Sequence, residues 1–384
     1  MLEQTANVER STLDARSRDA RATPAGTDDA MSEDVTAPSP FALELSPLRG
    51  LLIIDLADDP TYRTLEPQLL DGADGVGLTL LAYRHDGRVE LYAETHLQVD
   101  PSGYDGLGQG LAGIQRTAFE PARFELTDDG LKLDIAFSAP NGRRIELHLH
   151  EHLEGRRDHF PLLAPVGGAF DAPAFFPFLW LPTMSFVPVR GTEVTLRVDG
   201  QPRAISRLPL PIGGRRCLMA RYDLDAMVCQ LNPSWATDPS QTPVGATGSS
   251  PNDGRDIVDV DGEPSLAGLR VGRGAHSCAV RLDPPVPDPL RVPPTAGLQG
   301  SVQLQADGTP ELQGRYELAC TTDRVTLIID RIGPWRTRRR RPLLGILFRL
   351  PIFRRWPTTY RWEATLDLTA SPEPAWSSRW SRSG

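Results

Sequence analysis

Apolar and polar residues alternate in short runs along most of the chain. In residues 131–137 every second side chain is apolar, the pair Asn141-Gly142 follows, and residues 145–149 resume the alternation. Alternate residues of a β-strand lie on one face of the sheet, and Asn-Gly is a favoured two-residue hairpin turn. The pattern therefore predicts a β-hairpin with one apolar face.

Further runs of strand length lie on both sides of this hairpin, at Gly50 to Leu56, Val76 to Arg84, Arg88 to Leu97, Thr192 to Gly200, Arg221 to Leu231, Ala275 to Leu282, Glu311 to Cys320 and Asp323 to Ile332. Turn signals separate these runs, and no helical segments alternate with them. This order of elements predicts an all-β, mainly antiparallel fold of two sandwich-like or barrel-like lobes with few short helices.

Changes in composition along the chain predict the domain boundaries. Residues 1–40 contain no Phe, Trp or Tyr and show no apolar stripe, so we expect a disordered leader. Residues 233–263 lose apolar periodicity and are rich in Pro, Gly, Ser, Thr and Asp, which indicates a linker or a long loop. The first β lobe would then span residues 41–232, the second 264–370, and a tail 371–384.

The overall composition excludes several classes of protein. Hydrophobic residues make up 40% of the chain, which is enough for a core, and 36 prolines with 34 glycines favour turns over long helices. Four cysteines are too few for a disulfide framework. No apolar run reaches the ~20 residues of a membrane-spanning helix, and the first residues lack the features of a secretory signal. These observations predict a protein of the reducing cytoplasm.

Histidines are concentrated in one predicted strand. His148, His150 and His152 alternate with apolar positions and therefore project from the same face. Neighbouring pairs would lie ~6 to 7 Å apart along the backbone, close enough to share a metal ion or to act as acid or base in a pocket. The sequence identifies no third ligand. If this face is the outer one, the histidines are simply solvated.

An aromatic, proline-rich segment follows the hairpin. Pro173, Pro177 and Pro182 interrupt regular structure, so we expect that the rings do not all lie on one regular face. The segment would be either a plug that closes the end of the first lobe or the wall of an apolar pocket. The candidate ligand-binding residues are Phe175, Phe176, Phe178, Trp180 and Phe186.

Residues 331–362 hold ten arginines and no acidic residue, although the whole chain has a net charge of -9. Within them an apolar stretch is bracketed by basic and aromatic residues, a pattern that suits an anionic membrane surface. The alternative is an apolar segment packed on the lobes. The candidate membrane-binding or anion-binding residues are Arg338, Arg339, Arg340, Arg341, Phe348, Phe353, Arg354, Arg355 and Trp356.

Known catalytic motifs do not decide the function. The chain has no P-loop, G-x-S-x-G, H-E-x-x-H or paired C-x-x-C motif, so we expect no cofactor.

The leading hypothesis is a non-catalytic protein that binds an apolar small molecule or lipid at the inner membrane surface. One alternative is an enzyme of the lyase, isomerase or hydratase type that uses His148 or His150 on a hydrophobic substrate. Another is a protein-interaction module built on the arginine-rich segment. The acidic remainder of the chain disfavours nucleic-acid binding.

Overall fold

A computed structural model gives the architecture of the chain. It describes residues 41–73, 75–104, 107–152, 157–165, 175–233, 254–289, 291–294, 297–332, 359–369 and 376–382. Within this part of the chain, nearly everything outside turns is β-strand, and Pro101–Tyr104 forms the single short 3₁₀ helix. The predicted all-β, mainly antiparallel fold is confirmed. The leader, residues 1–40, lies outside the described residues.

Two sheets form a sandwich in the N-terminal part of the chain. The first has seven strands in the order β12 (Ser185–Pro188), β15 (Cys217–Asp223), β2 (Leu48–Asp55), β3 (Tyr62–Gly72), β4 (Gly75–Arg84), β5 (Val89–Glu94) and β6 (Leu111–Thr117). The second has five strands in the order β14 (Gln201–Pro202), β13 (Thr192–Val198), β9 (Arg144–Glu151), β8 (Gly130–Ser138) and β7 (Ala122–Thr127). The pair β5 and β6 is parallel.

The predicted hairpin of residues 131–149 is β8 and β9. Its apolar alternate residues, among them Leu133, Ile135 and Leu147, share one buried cluster with Leu52 and Leu80 of the seven-stranded sheet. Because the strand period is two, burying this set of side chains turns the intervening polar residues outward. The local pattern thus determines which face of the five-stranded sheet meets the core.

The remaining strands form two more sheets. A four-stranded sheet has the order β1 (Leu43–Leu45), β16 (Met227–Leu231), β11 (Phe176–Leu181) and β10 (Leu162–Pro165). An eight-stranded meander comprises, in chain order, β17 (Arg255–Val260), β18 (Glu263–Arg273), β19 (His276–Pro287), β20 (Gly297–Ala306), β21 (Thr309–Cys320), β22 (Arg324–Ile332), β23 (Tyr360–Asp367) and β24 (Trp376–Arg382).

The four-stranded sheet lies between two others. On one face of β11, Phe176 and Phe178 pack in the core shared with the eight-stranded sheet. On the opposite face, Leu181 packs in a cluster with Leu51 and Phe186 of the seven-stranded sheet. This sheet therefore joins the N-terminal sandwich to the eight-stranded sheet through two apolar layers.

The eight-stranded sheet begins earlier and ends later than the sequence pattern predicts. Strand β17 lies within the predicted linker, and β24 lies within the predicted tail. In β24, Trp376 and Trp380 are buried and alternate with exposed positions, a strand pattern too short to identify without its partner. Among the described residues, no helix is long and apolar enough to cross a membrane.

Arg273, at the end of β18, connects the eight-stranded sheet to the sheets before it. Its guanidinium donates hydrogen bonds to the carbonyl oxygens of Leu48, Ser46 and Ala226 at 2.5, 3.2 and 3.4 Å. It also lies 3.5 Å from a carboxylate oxygen of Asp71. The Arg273 side chain thus bonds to carbonyl oxygens near the start of the seven-stranded sheet, at Ser46 and Leu48, and to one far along the chain, at Ala226.

Candidate functional site

The structure separates the five candidate aromatic residues. Phe176, Phe178 and Trp180 project from one face of β11 and are buried in the core against the eight-stranded sheet. The ring of Phe176 lies 4.9 Å from Tyr360 and 5.2 Å from Trp380 between centroids. Phe186 belongs to the other apolar layer, and Phe175 is half-buried before the strand begins.

The expectation that prolines break this segment holds only in part, because Pro177 lies inside β11. Strand β10 pairs with Phe178 to Leu181, so among the described residues Pro177 has one paired neighbour, Gln230 of β16. A proline is tolerated where one side of the strand needs no amide donor. Three of the rings therefore do share a regular face.

His148 and His150 lie on the outer face of the five-stranded sheet, opposite its buried face. Nδ1 of His148 and Nε2 of His150 lie 2.9 and 2.8 Å from the same Asp134 oxygen, and both rings are partly exposed. These contacts lower the pKa of Asp134, against its partial burial. His152 is more exposed and lies 3.9 Å from a carboxylate oxygen of Glu193.

No metal centre is evident in the part of the chain that the structure describes. There, no group of three or more His, Cys, Asp or Glu side chains has an arrangement that would hold a metal ion. The arginine-rich segment from Arg338 to Trp356 lies outside the described residues.

A polar cluster that the sequence did not suggest occupies the other face of the seven-stranded sheet. We call it the Glu66 cluster, and it consists of Asp55 on β2, Thr64, Glu66 and Gln68 on β3, Tyr83 on β4 and Arg221 on β15. The adjacent residues Ile54, Leu65, Ala82 and Ala220 of the same strands are buried against the five-stranded sheet. The cluster therefore faces away from that sandwich core.

Hydrogen bonds organise the cluster into two groups, one around Glu66 and one around Asp55. The Gln68 amide donates to Oε1 of Glu66 at 2.8 Å, and the Tyr83 hydroxyl bonds to the same carboxyl group. Arg221 donates to Asp55 at 3.0 Å, and Thr64 donates to the other oxygen of that carboxylate at 2.8 Å. Polar groups from four strands thus form two hydrogen-bonded groups, and the charges of Arg221 and Asp55 act on Glu66.

Burial raises the pKa of Glu66, because the charged carboxylate loses hydration. The hydrogen bonds from Gln68 and Tyr83 and the positive charge of Arg221 oppose this shift without cancelling it. Burial also raises the pKa of the Tyr83 hydroxyl well above its ordinary value, with the negative charge of Glu66 adding to the effect. Strongly shifted groups of this kind are concentrated at functional sites.

Apolar side chains flank the cluster on both sides. Half-buried Ile53 and Met219 pack against the apolar layer below the four-stranded sheet. On the other side, half-buried Tyr104, Leu107 and Leu111 pack around the buried Leu81 and Leu91. A few polar groups set among apolar side chains are typical of sites for small organic molecules.

A second carboxylate cluster lies at the end of the sandwich near the Asn141 turn. The hydroxyls of Tyr62 and Tyr92 both donate to Oε2 of Glu90, at 2.5 and 2.6 Å, and Arg84 donates to Oε1 at 3.2 Å. These hydrogen bonds, with the charges of Arg143 and Arg84, lower the pKa of Glu90 against its burial. Glu90 pairs with Ala82 of the sandwich core and so projects from the opposite face of the seven-stranded sheet to Glu66, which makes this cluster a reference for the other site.

The sequence pattern does not predict the Glu66 cluster because it does not predict strand β3. Thr64, Glu66 and Gln68 recur at period two, with Leu65 and Leu69 on the opposite face, and that alternation is the one local signal of the cluster. The remaining members lie up to 166 positions apart along the chain.

Comparison of the chain with protein-family models, with curated proteins and with solved structures finds no match.

Proposed function

We propose that the protein binds an apolar small molecule or lipid that carries one polar group, and that the Glu66 cluster receives that group. The function is binding without catalysis. The observation that carries the proposal is a hydrogen-bonded polar cluster with Glu66 and Gln68 buried at its centre, flanked by half-buried apolar side chains on one sheet face. The apolar surroundings would contribute affinity, and the polar group would fix orientation.

The cluster suits a hydroxyl group. Glu66 offers an acceptor oxygen, while Gln68 and Arg221 carry further N–H donors beyond those bonded to Glu66 and Asp55. A hydroxyl both donates and accepts, whereas an ether oxygen only accepts. A ligand with a hydroxyl group should therefore bind more tightly than its methyl ether.

The test is a calorimetric comparison of 1-octanol with octyl methyl ether. We expect the alcohol to bind about tenfold more tightly, since a hydrogen bond to a charged or strongly polarised group contributes ~1.5 kcal/mol or more. In Glu66→Leu the preference should disappear. Glu90→Gln, which alters the fully bonded carboxylate near the Asn141 turn, should keep it. Absence of octanol binding, or a preference that survives Glu66→Leu, would contradict the proposal.

The second candidate is an enzyme of the lyase, isomerase or hydratase type that acts on a hydrophobic substrate. The raised pKa of Glu66 favours it, because a carboxyl group that stays protonated to higher pH is a proton donor in apolar surroundings. In this candidate the acid or base is Glu66 and not His148 or His150, because those histidines lie on the outer face of the five-stranded sheet.

The protonation of Glu66 has a measurable effect on stability. In the unfolded chain Glu ionises near pH 4.3, and in the folded protein it ionises at higher pH. Between these two values the unfolded state releases a proton first, so the wild type should lose stability relative to Glu66→Gln as pH rises, by up to ~1.4 kcal/mol per unit. Urea unfolding from pH 4 to 8 measures this difference. A constant difference over that range would remove the proton-donor candidate.

Membrane association is a proposal from the sequence alone, since the arginine-rich segment lies outside the described residues. Vesicles of phosphatidylglycerol and phosphatidylcholine should co-sediment the protein at low salt, and the bound fraction should fall as salt screens the charges. The double variant Phe348→Ser with Phe353→Ser should bind less, because the apolar stretch would bury less area. Vesicles of phosphatidylcholine alone are the control. If the protein does not bind anionic vesicles and the double variant unfolds at a lower temperature than the wild type, the segment packs on the fold instead.

A further inference from the structure

An ionic pair between a buried carboxylate and a half-buried arginine lies at the end of the β8–β9 ladder away from the Asn141 turn. Glu151, the last residue of β9, is 1% exposed and lies against Gly130 at the start of β8. A Cβ atom at position 130 would stand 2.5 Å from the Cβ of Glu151, and φ there is +144°, so glycine is required for this approach. Arg157 lies beside Glu151, with its guanidinium carbon 5.9 Å from the centre of the Tyr222 ring.

One oxygen of Glu151 is fully used. Oε2 accepts hydrogen bonds from the Leu131 amide and the Tyr222 hydroxyl, both at 2.9 Å. It also lies 3.7 Å from Nη2 of Arg157, which is too far for a hydrogen bond. The carboxylate is therefore held firmly in place by β8 and β15, and not by its ionic partner.

Polar atoms of the pair lack hydrogen-bond partners among the described residues. Oε1 of Glu151 and both Nε and Nη2 of Arg157 are buried and make no hydrogen bond there. Buried charged groups without partners are costly, so native proteins fill such positions with water or a ligand. Nε and Nη2 form the edge of a guanidinium that binds a carboxylate through two parallel hydrogen bonds.

We propose that Arg157 and Glu151 form a binding site for the carboxylate of a small organic acid. Nε and Nη2 of Arg157 would each donate to one carboxylate oxygen. Glu151, protonated on Oε1, would donate the third hydrogen bond, and binding would therefore take up one proton. This site is separate from the Glu66 cluster, so its failure would leave the proposed function unaffected.

The surroundings of Glu151 suit the uptake of a proton. Among the described residues, the titratable and charged groups that interact with it are Arg157 and, on β15, Tyr222 and Cys217. Asp158 also acts on Cys217. Burial raises the pKa of Glu151, and the hydrogen bonds from Leu131 and Tyr222 and the charge of Arg157 only partly oppose that shift.

The experiment is calorimetric titration with hexanoate from pH 5.5 to 8.5. We expect binding to the wild type whose affinity falls with rising pH, approaching tenfold per unit above the pKa of Glu151. Arg157→Lys keeps the charge but loses the paired donors, and should weaken binding at least tenfold. Glu151→Gln places an amide N–H where the proton would be, and should bind hexanoate without the pH dependence.

Arg203→Lys is the matched control, because Arg203 is a similarly half-buried arginine whose Nε lies 2.8 Å from the buried carboxylate of Asp59, outside both proposed sites. It should leave hexanoate binding unchanged. If Arg157→Lys fails to fold, judged by near-ultraviolet circular dichroism, the comparison of wild type with Glu151→Gln still decides the matter. The proposal is overturned by absence of hexanoate binding, by an equal loss in Arg203→Lys, or by the same pH dependence in Glu151→Gln and wild type.

Discussion

Phe176→Ala is expected to lower the free energy of unfolding by about 3 to 5 kcal/mol. The Phe176 side chain is fully buried and contacts Tyr360 and Trp380 at the layer that joins the four-stranded to the eight-stranded sheet. Truncation loses apolar burial and leaves a cavity between two sheets that cannot close around it. Urea denaturation monitored by tryptophan fluorescence measures the change.

The neighbouring residue provides a matched control for Phe176. Phe175 carries the same ring but is only half-buried before β11 begins, so Phe175→Ala should cost much less. Comparable losses in the two variants would contradict the core assignment. If Phe176→Ala lowers the free energy of unfolding only slightly, the prediction that this segment is the wall of an apolar pocket, and not part of the core, is supported instead.

Arg273→Met is expected to lower the free energy of unfolding by about 2 to 4 kcal/mol, because three backbone acceptors lose a charged donor. The substitution keeps an unbranched apolar stem but leaves the carbonyl oxygens of Leu48, Ser46 and Ala226 without their partner. A hydrogen bond to a charged group contributes ~1.5 to 3 kcal/mol, and an unpaired buried acceptor adds a desolvation cost. Chemical denaturation at neutral pH measures the loss.

Arg49→Met is the control for Arg273, because both arginines pair with Asp71. Arg49 is about half exposed and lies 3.7 Å from that carboxylate, so its loss should cost less than ~1 kcal/mol. Equal effects in the two variants would mean that the ionic pair, and not the backbone acceptors, accounts for the role of Arg273.

Local alternation is sufficient to predict the central hairpin of the five-stranded sheet. The period of two in residues 131–149 assigns every side chain to one of two faces, and the apolar set identifies the inner one. The same rule places His148 and His150 on one face of their strand. Whether that face is the outer one depends on which sheet covers the hairpin, and that is a property of the whole fold.

The fold differs from the local sequence pattern at Pro177 and at the two short strands β17 and β24. Pro177 predicts a break, yet it lies inside β11, where within the described ranges it pairs with Gln230 of β16 alone and no partner on its other side needs an amide donor. The sequence pattern assigns β17 and β24 to a linker and a tail, because a run of six or seven residues carries a weak signal alone. Pairing with β18 and β23 supplies the hydrogen bonds that make them strands.

The sequence by itself determined the all-β class, the antiparallel hairpins and the inward face of β8 and β9, because these depend on residues a few positions apart. Only the tertiary structure decided the candidate sites. Asp55, Glu66, Tyr83 and Arg221 meet because strand order in the seven-stranded sheet runs β15, β2, β3, β4, which brings distant segments side by side. The burial that raises the pKa of Glu66 and of Glu151 likewise depends on tertiary packing, which a local sequence pattern does not determine.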